Sequence, residues 1–140
     1  MVRVKLRYLL VKIHSETKIK ASELTWKNLE KEIIAALFSL HGDYGVAQCR
    51  QWLQVKYVDP ELGVAIVRCG RPQFLLVSTA MTTIISLQKT PITLRVCHVS
   101  ARTTGVIDAL TQRVRLDEAT GEANQKVLSK VEMDMGNIGF

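Results

Sequence analysis

The sequence contains few of the residues that mark specialised proteins. It has only 8 glycines and 3 prolines in 140 residues, while 47% of its residues are hydrophobic and 23% are charged. This composition excludes disordered, collagen-like and fibrous chains. No apolar run reaches the roughly 18–20 residues that cross a bilayer. We therefore expect one soluble, intracellular domain, since domains cluster near about 100–150 residues.

Cysteine is also scarce. Cys49, Cys69 and Cys97 stand far apart, and no CxxC pair occurs, so neither a zinc site nor a disulfide framework is expected. Thiols scattered among apolar residues suit buried positions in a reducing compartment. The basic N-terminus alternates in polarity and lacks the continuous apolar stretch of a secretory signal.

Catalytic patterns are missing as well. His14, His41 and His98 are widely separated, and a lone histidine in such a place is usually structural. The acidic residues show neither a carboxylate pair nor the spacing of metal ligands. The segment His-Gly-Asp-Tyr-Gly (41–45) follows a predicted helix instead of opening one, so we interpret it as a turn and not as a phosphate loop.

Charge is distributed unevenly along the chain. Residues 1–115 hold 17 basic and 8 acidic residues, a net charge of +9, whereas residues 116–140 hold 2 and 5, a net charge of −3. A basic body with an acidic tail is common in proteins that contact a polyanion, although a solubility bias without any partner gives the same numbers. The predicted division is a folded domain at 1–116 and an acidic, partly flexible tail at 117–140.

Periodicity predicts the order of the secondary-structure elements. Alternating polarity marks strands, and apolar residues that recur every three or four positions mark helices. Thr25 is the predicted N-cap of the first helix, and Pro72 begins the second. The predicted elements are a strand at 2–13, a helix at 25–41, a hairpin of strands at 47–58 and 63–69, a helix at 73–87, a strand at 92–99 and a helix at 103–116.

This order is β-α-β-β-α-β with an added C-terminal helix, which is the α+β, ferredoxin-like split βαβ arrangement. It places two helices on one face of the sheet and leaves the other face open. Many unrelated functions use this fold, so topology alone does not choose among them. The second helix is apolar on most sides, so its outer residues are expected to meet another protein or the C-terminal helix. The predicted partner-binding residues are Trp52, Met81, Ile84 and Ile85.

The polar sides of the four predicted strands carry basic residues with no acid between them. Solvated surfaces ordinarily mix both signs, so a face of one sign favours the phosphate backbone of RNA as its partner. A merely basic surface, or an edge charged to discourage strand pairing, is the alternative. The residues predicted on this face are Arg3, Lys5, Arg7, Arg50, Lys56, Arg68 and Arg95.

Aromatic residues are few on these strands, and Trp52 is the single large ring on the basic face. Recognition of the RNA backbone or shape is therefore favoured over the stacking of successive bases. Trp52 is equally compatible with a base contact and with a contact to a protein partner.

Three segments carry a resemblance to a known family. MVRVKLRYLL at the N-terminus, HGDYGVAQC after the first helix and VKYVDPELGVAIVRC across the hairpin resemble the Pop-five family, over about residues 1–100. Its members are small protein subunits of ribonuclease P in archaea and eukaryotes, and of ribonuclease MRP in eukaryotes. The chain departs from the family pattern at 98–105, where a glycine is missing and Arg102 substitutes for the displaced basic residue.

The resemblance implies that the protein is not itself the catalyst. The RNA subunit would perform the reaction, with magnesium bound to the RNA and no cofactor in the protein. The protein would stabilise that RNA for 5′ maturation of precursor tRNA, and for pre-rRNA processing in ribonuclease MRP. Its partners would be the catalytic RNA, precursor tRNA, a barrel-shaped protein subunit of about thirty kilodaltons and other ribonuclease P/MRP proteins, with no membrane. The expected location is the nucleus (nucleolus) for a eukaryotic chain and the cytoplasm for an archaeal one.

Two other classes remain open. A ferredoxin-like regulatory or oligomerisation domain, with a small-molecule or protein partner, would have a polar pocket between helix and sheet. A stand-alone nuclease or phosphatase would need a catalytic cluster that the sequence does not display.

The missing catalytic pattern predicts that the purified chain does not cleave RNA by itself. The measurement is magnesium-dependent 5′ processing of precursor tRNA, with and without the RNA subunit. Cleavage by the RNA-free chain would contradict the prediction.

Overall fold

The computed structural model describes the backbone of residues 3–118 and the side chains of residues 3–115. A 3-10 turn at Arg71–Gln73 joins the third strand to the second helix. The elements in chain order are β1 (Leu6–His14), α1 (Trp26–Arg50), β2 (Gln54–Asp59), β3 (Val64–Gly70), α2 (Phe74–Thr82), β4 (Ser86–Leu87), β5 (Thr90–Pro91), β6 (Thr93–Ser100) and α3 (Thr103–Glu118).

Four of the strands form one antiparallel sheet in the order β2-β3-β1-β6. This order confirms the predicted ferredoxin-like split βαβ fold with a C-terminal helix. Both edge strands contain a bulge, because the pairing shifts by one residue at Lys56 in β2 and at Cys97 in β6. A bulge reverses which face of the sheet the following side chains occupy. Val55 and Tyr57 consequently join different cores.

One face of the sheet packs against α1 and α2. Thr25 caps α1, since its hydroxyl oxygen accepts a hydrogen bond from the backbone N–H of Asn28 at 3.3 Å. The apolar stripe of α1 then meets the odd-numbered residues of β1. Prominent members of this first core are Leu9, Val11, Leu29, Ile33, Leu37, Val67, Val77 and Met81, all 0% exposed.

The opposite face is covered by α3, so the expectation of an open face is wrong. Leu10 of β1 and Ile66 of β3 are both 0% exposed on that side. Burying apolar surface stabilises a fold by roughly 25 cal/mol per Å². The apolar side chains on this face therefore favour a helix that covers them. The members of this second core are Tyr8, Leu10, Tyr57, Val64, Ile66, Val106, Leu110 and Val114.

Gly42 divides α1 into two segments. Its backbone has φ 68° and ψ −165°, a conformation that only glycine adopts readily, so the first segment ends where the sequence predicts. The chain then resumes as helix, and the strand predicted at 47–58 begins only at Gln54. The spacing of four between the buried Gly45 and Cys49 places both on one helix face, which overrides the local alternation.

The second helix, α2, is shorter than the predicted 73–87. It ends at Thr82, whose hydroxyl donates to a backbone carbonyl of the preceding turn at 2.7 Å, a local bond that competes with helix continuation. Met81 is 0% exposed and Ile84 is 6% exposed in the first core, so their assignment to a partner surface is wrong. Ile85 is 79% exposed, as expected.

The tail predicted at 117–140 lies almost entirely outside the described residues, and its boundary with the folded domain stays a prediction. Within the part of the chain that the structure describes, every helix is too short or too polar to cross a membrane.

Because α3 contributes side chains to the second core, we predict that it unfolds together with the rest of the domain. Leu110→Ala should lower the free energy of unfolding by about 2–5 kcal/mol, because truncating a buried leucine leaves a cavity; Leu110 is 0% exposed. Leu75→Ala removes the same atoms from a position in α2 that is 71% exposed and should change the stability by less than about 0.5 kcal/mol. Urea denaturation measures both variants. Wild-type stability in Leu110→Ala would contradict the placement of α3.

Candidate nucleic-acid interface

The single basic face predicted from strand alternation does not form. Arg3 and Lys5 are exposed and precede β1. Arg7 is half-buried and pairs in register with Cys69, a residue of the first core. Its guanidinium donates to the carbonyl of Leu6 at 2.9 Å. The odd-numbered residues of β1 therefore share the face that α1 and α2 cover, which is the reverse of the predicted orientation.

Two of the predicted cations instead meet a third, Arg71, at one end of the sheet, in a recess that we call the Trp52 pocket. Arg3, Lys5 and Arg71 line this recess together with Trp52, and its volume is about 580 Å³. No acidic side chain of the described residues lines it. The backbone N–H of Arg71 donates to the carbonyl of Lys5 at 2.8 Å and so holds the start of β1 against the end of β3.

Gly70 lies at the end of β3, where the side chains of Gln73 and Trp52 both come close to the strand. A Cβ atom at this position would overlap the side-chain oxygen of Gln73 and would lie 3.5 Å from Cδ1 of Trp52. Glycine within a strand commonly marks such an approach of neighbouring groups. The ring of Trp52 consequently forms one wall of the pocket.

Two further cations extend the positive charge from the pocket across β2 and β3. The Nε atom of Arg68 donates to the carbonyl of Trp52 at 3.3 Å. Partial burial, and then the neighbouring charge of Arg68, lower the pKa of Lys56 from its usual value. Because its charged form is disfavoured, the Lys56 ammonium would be stabilised by an anion bound beside it.

The remaining predicted cations lie elsewhere. Arg50 ends α1 and Arg102 precedes α3; both are exposed, and neither lines the Trp52 pocket. Arg95 lies in a second recess of about 510 Å³, which we call the α3 cleft, between α3 and the second face of the sheet. Sequence reasoning missed Arg71, whose place beside Lys5 depends on the non-local pairing of β1 with β3.

The described residues offer no evident catalytic centre. Among them, no three His, Cys, Asp or Glu side chains are placed to hold a metal ion. The buried acid Asp59 has a structural role in the turn after β2. It accepts hydrogen bonds from the hydroxyl of Tyr57 at 3.0 Å and from the backbone N–H groups of Glu61 and Leu62 at 2.9 and 3.2 Å.

A groove lined by both polar and apolar residues, which we call the α1–α2 groove, lies between the first helix and the segment after the second helix. Leu40 is 44% exposed and Ile85 is 79% exposed at its rim. Exposed apolar groups in a groove are typical of sites that bind another protein. Among the predicted partner residues in and after α2, Ile85 is accessible, whereas Met81 and Ile84 are buried.

These features define a class: a ferredoxin-like α+β protein with acid-free basic recesses, which are typical of polyanion binding. The model of the Rpp14/Pop5 family matches residues 7–111. The chain therefore belongs to the Rpp14/Pop5 family, which confirms the resemblance found in the sequence.

Named relatives agree with this membership. A fission yeast protein, the ribonuclease P/MRP protein subunit POP5 of Schizosaccharomyces pombe, is 33% identical over 109 residues, which is 71% of this chain and 78% of the relative. The human subunit of the same name is 30% identical over 91 residues, 63% of this chain and 54% of the relative. The chain thus matches only about half the length of the human protein.

A solved structure has the same fold. One chain of the cryo-EM structure of yeast ribonuclease MRP aligns with a TM-score of 0.55 at 18% identity, covering 99% of each chain. At this identity the likeness is one of fold.

Proposed function

We propose that this chain is a protein subunit of ribonuclease P, of ribonuclease MRP or of both, and that it binds the RNA of the particle without performing the chemistry. The observation that carries the proposal is the Trp52 pocket: three cations and an aromatic ring, with no acid from the described residues, in a member of the Rpp14/Pop5 family. Relatives named as ribonuclease P/MRP protein subunits support the assignment of this chain to one of these particles.

The pocket would bind RNA chiefly through phosphates. Arg3, Lys5 and Arg71 are all exposed. Arg3 and Lys5 precede β1 and Arg71 follows β3, and the Arg71–Lys5 backbone hydrogen bond holds these two segments together. Such cations neutralise phosphates and release counterions whatever the base sequence. The half-buried ring of Trp52 could stack on one base beside them, a contact that tolerates any base. We therefore expect the pocket to recognise the RNA backbone next to an unpaired base.

Other parts of the proposal rest on the family. The α1–α2 groove is the surface that we assign to a protein partner, for which the resemblance suggests a barrel-shaped subunit. Precursor tRNA is the proposed substrate of the particle, and magnesium would be bound by its RNA. The fission yeast and human relatives are eukaryotic, which supports a nuclear location.

The alternative, a regulatory domain with a small ligand, gains support from one observation. The α3 cleft is a polar recess between a helix and the sheet, as that alternative requires. A small ligand of this class would have to be an anion, because no acidic side chain of the described residues lines the cleft.

The Trp52 pocket makes a quantitative prediction for RNA binding. The triple variant Arg3→Gln, Lys5→Gln, Arg71→Gln should reduce the slope of log K against log salt by about 2, because each phosphate contact with single-stranded RNA contributes about 0.7. Fluorescence anisotropy of a labelled RNA strand over a salt series measures the slope.

A matched control distinguishes the effect of the pocket from the effect of removing three positive charges elsewhere on the surface. Lys18→Gln, Lys20→Gln, Lys31→Gln removes the same charge from exposed residues outside the pocket and should leave the slope nearly unchanged. Equal slopes in the two triple variants, with both folded by circular dichroism, would contradict a specific role of the Trp52 pocket.

A further inference from the structure

We propose that the α3 cleft is a second anion site, separate from the Trp52 pocket, and that it binds a phosphate group. The cleft is formed where the C-terminal half of α3 leans over β1, β6 and the turn before β3. Its volume of about 510 Å³ falls within the range of roughly 300–1,000 Å³ that is usual for ligand sites.

Positive charge is concentrated in this cleft. Lys12 comes from β1, Arg95 from β6 and Arg113 from α3, and the imidazoles of His14 and His98 add further hydrogen-bonding groups. No described acidic side chain lines it. Three cations drawn from three elements would repel a metal ion and attract an anion.

The pairing of β1 with β6 contains a conflict that an anion would relieve. Lys12 and Arg95 are direct partners across the two strands, and like charges in this position destabilise a sheet. The Lys12 ammonium donates to the carbonyl of Leu62 at 3.0 Å, which fixes its place at the cleft. An unfavourable local pairing, such as two like charges on neighbouring strands, is expected at functional sites.

The bulge in β6 assembles the site. The extra residue at Cys97 shifts the pairing, so that Leu10 faces His98 while the next residue of β1 faces Val96. In a regular strand Arg95 and His98 would lie on opposite faces. With the bulge, Arg95, Cys97 and His98 all line the cleft.

The phosphate could come from two sources, an RNA strand or a free phosphate or mononucleotide. The RNA strand is the one we favour, because it fits the proposed function, and to that extent the inference rests on it. The cleft and the Trp52 pocket lie near opposite ends of β1. Lys12 follows Lys5 by seven positions, a distance of about 23 Å at roughly 3.3 Å per residue, so one RNA strand could contact both sites.

Cys97 provides a reporter inside the site. Its side chain is partly exposed and lines the cleft, whereas Cys49 and Cys69 are buried. Burial raises the pKa of Cys49, and burial together with the nearby Cys49 raises the pKa of Cys69 to about 12. Because the thiolate is the reactive form, iodoacetamide should modify Cys97 first in the folded chain.

The experiment measures how far a ligand slows the alkylation of Cys97, in the full chain and at constant ionic strength. The probes are a single-stranded RNA, adenosine monophosphate and inorganic phosphate, each compared with chloride. Protection by the RNA alone identifies a strand as the source, and protection by the small anions identifies a free phosphate site. No protection by any of the three overturns the proposal.

The variant Arg95→Gln, Arg113→Gln tests the mechanism. It should abolish the protection and weaken binding of the protecting probe about a hundredfold, the effect expected for losing two charge-assisted hydrogen bonds. Arg115→Gln, also exposed on α3 but outside the cleft, should behave as wild type. Protection that persists in the double variant overturns the proposal.

These experiments can reject the second anion site without rejecting the proposed function. If RNA binding depends on the Trp52 pocket while Cys97 stays unprotected, the proposed function stands and the second site does not. If Cys97 is protected while the triple variant of the Trp52 pocket binds RNA normally, the second site stands and the role of the Trp52 pocket in RNA binding does not.

Discussion

The structure depends on a central sheet that is apolar on both faces. Leu9 and Leu10 are neighbours in β1, point to opposite sides and are both 0% exposed, so each face needs its own cover. α1 and α2 cover one face and α3 covers the other. Since a face shielded by a helix cannot also bind nucleic acid, the proposed RNA contacts are limited to the ends of the strands and to the seam along α3. Both basic recesses lie in those places.

Bulges and turns then decide where the charges point. The bulge at Lys56 lets neighbouring residues of β2 enter different cores, and the bulge at Cys97 gathers basic groups beside α3. Near the other end of the sheet, a backbone hydrogen bond holds Arg71 beside the chain preceding β1, and Trp52 lines the same pocket. Edge bulges beside functional sites are a common means of redirecting side chains.

Much of the fold could be predicted from periodicity, including the element order, the Thr25 cap and the central position of β3. The side of the sheet on which each residue lies could not. In β1 both faces become apolar after Tyr8, so alternation does not say which face meets α1 and α2. The prediction therefore places Arg7 on the wrong side of the sheet. Arg95 does lie on the predicted side, opposite α1 and α2, but α3 covers that side. The recesses depend on non-local pairing and on bulges, for which a single sequence carries no direct signal.

The central claim is that RNA is bound at the ends of the sheet and along α3, and not on an open sheet face. Hydrogen–deuterium exchange of the full chain with and without RNA tests this most directly, because it locates protection along the backbone. The account predicts protection of the segments around Lys5, Trp52 and Arg71 at the Trp52 pocket. Protection confined to the exposed side of α1, with those segments unchanged, would contradict it.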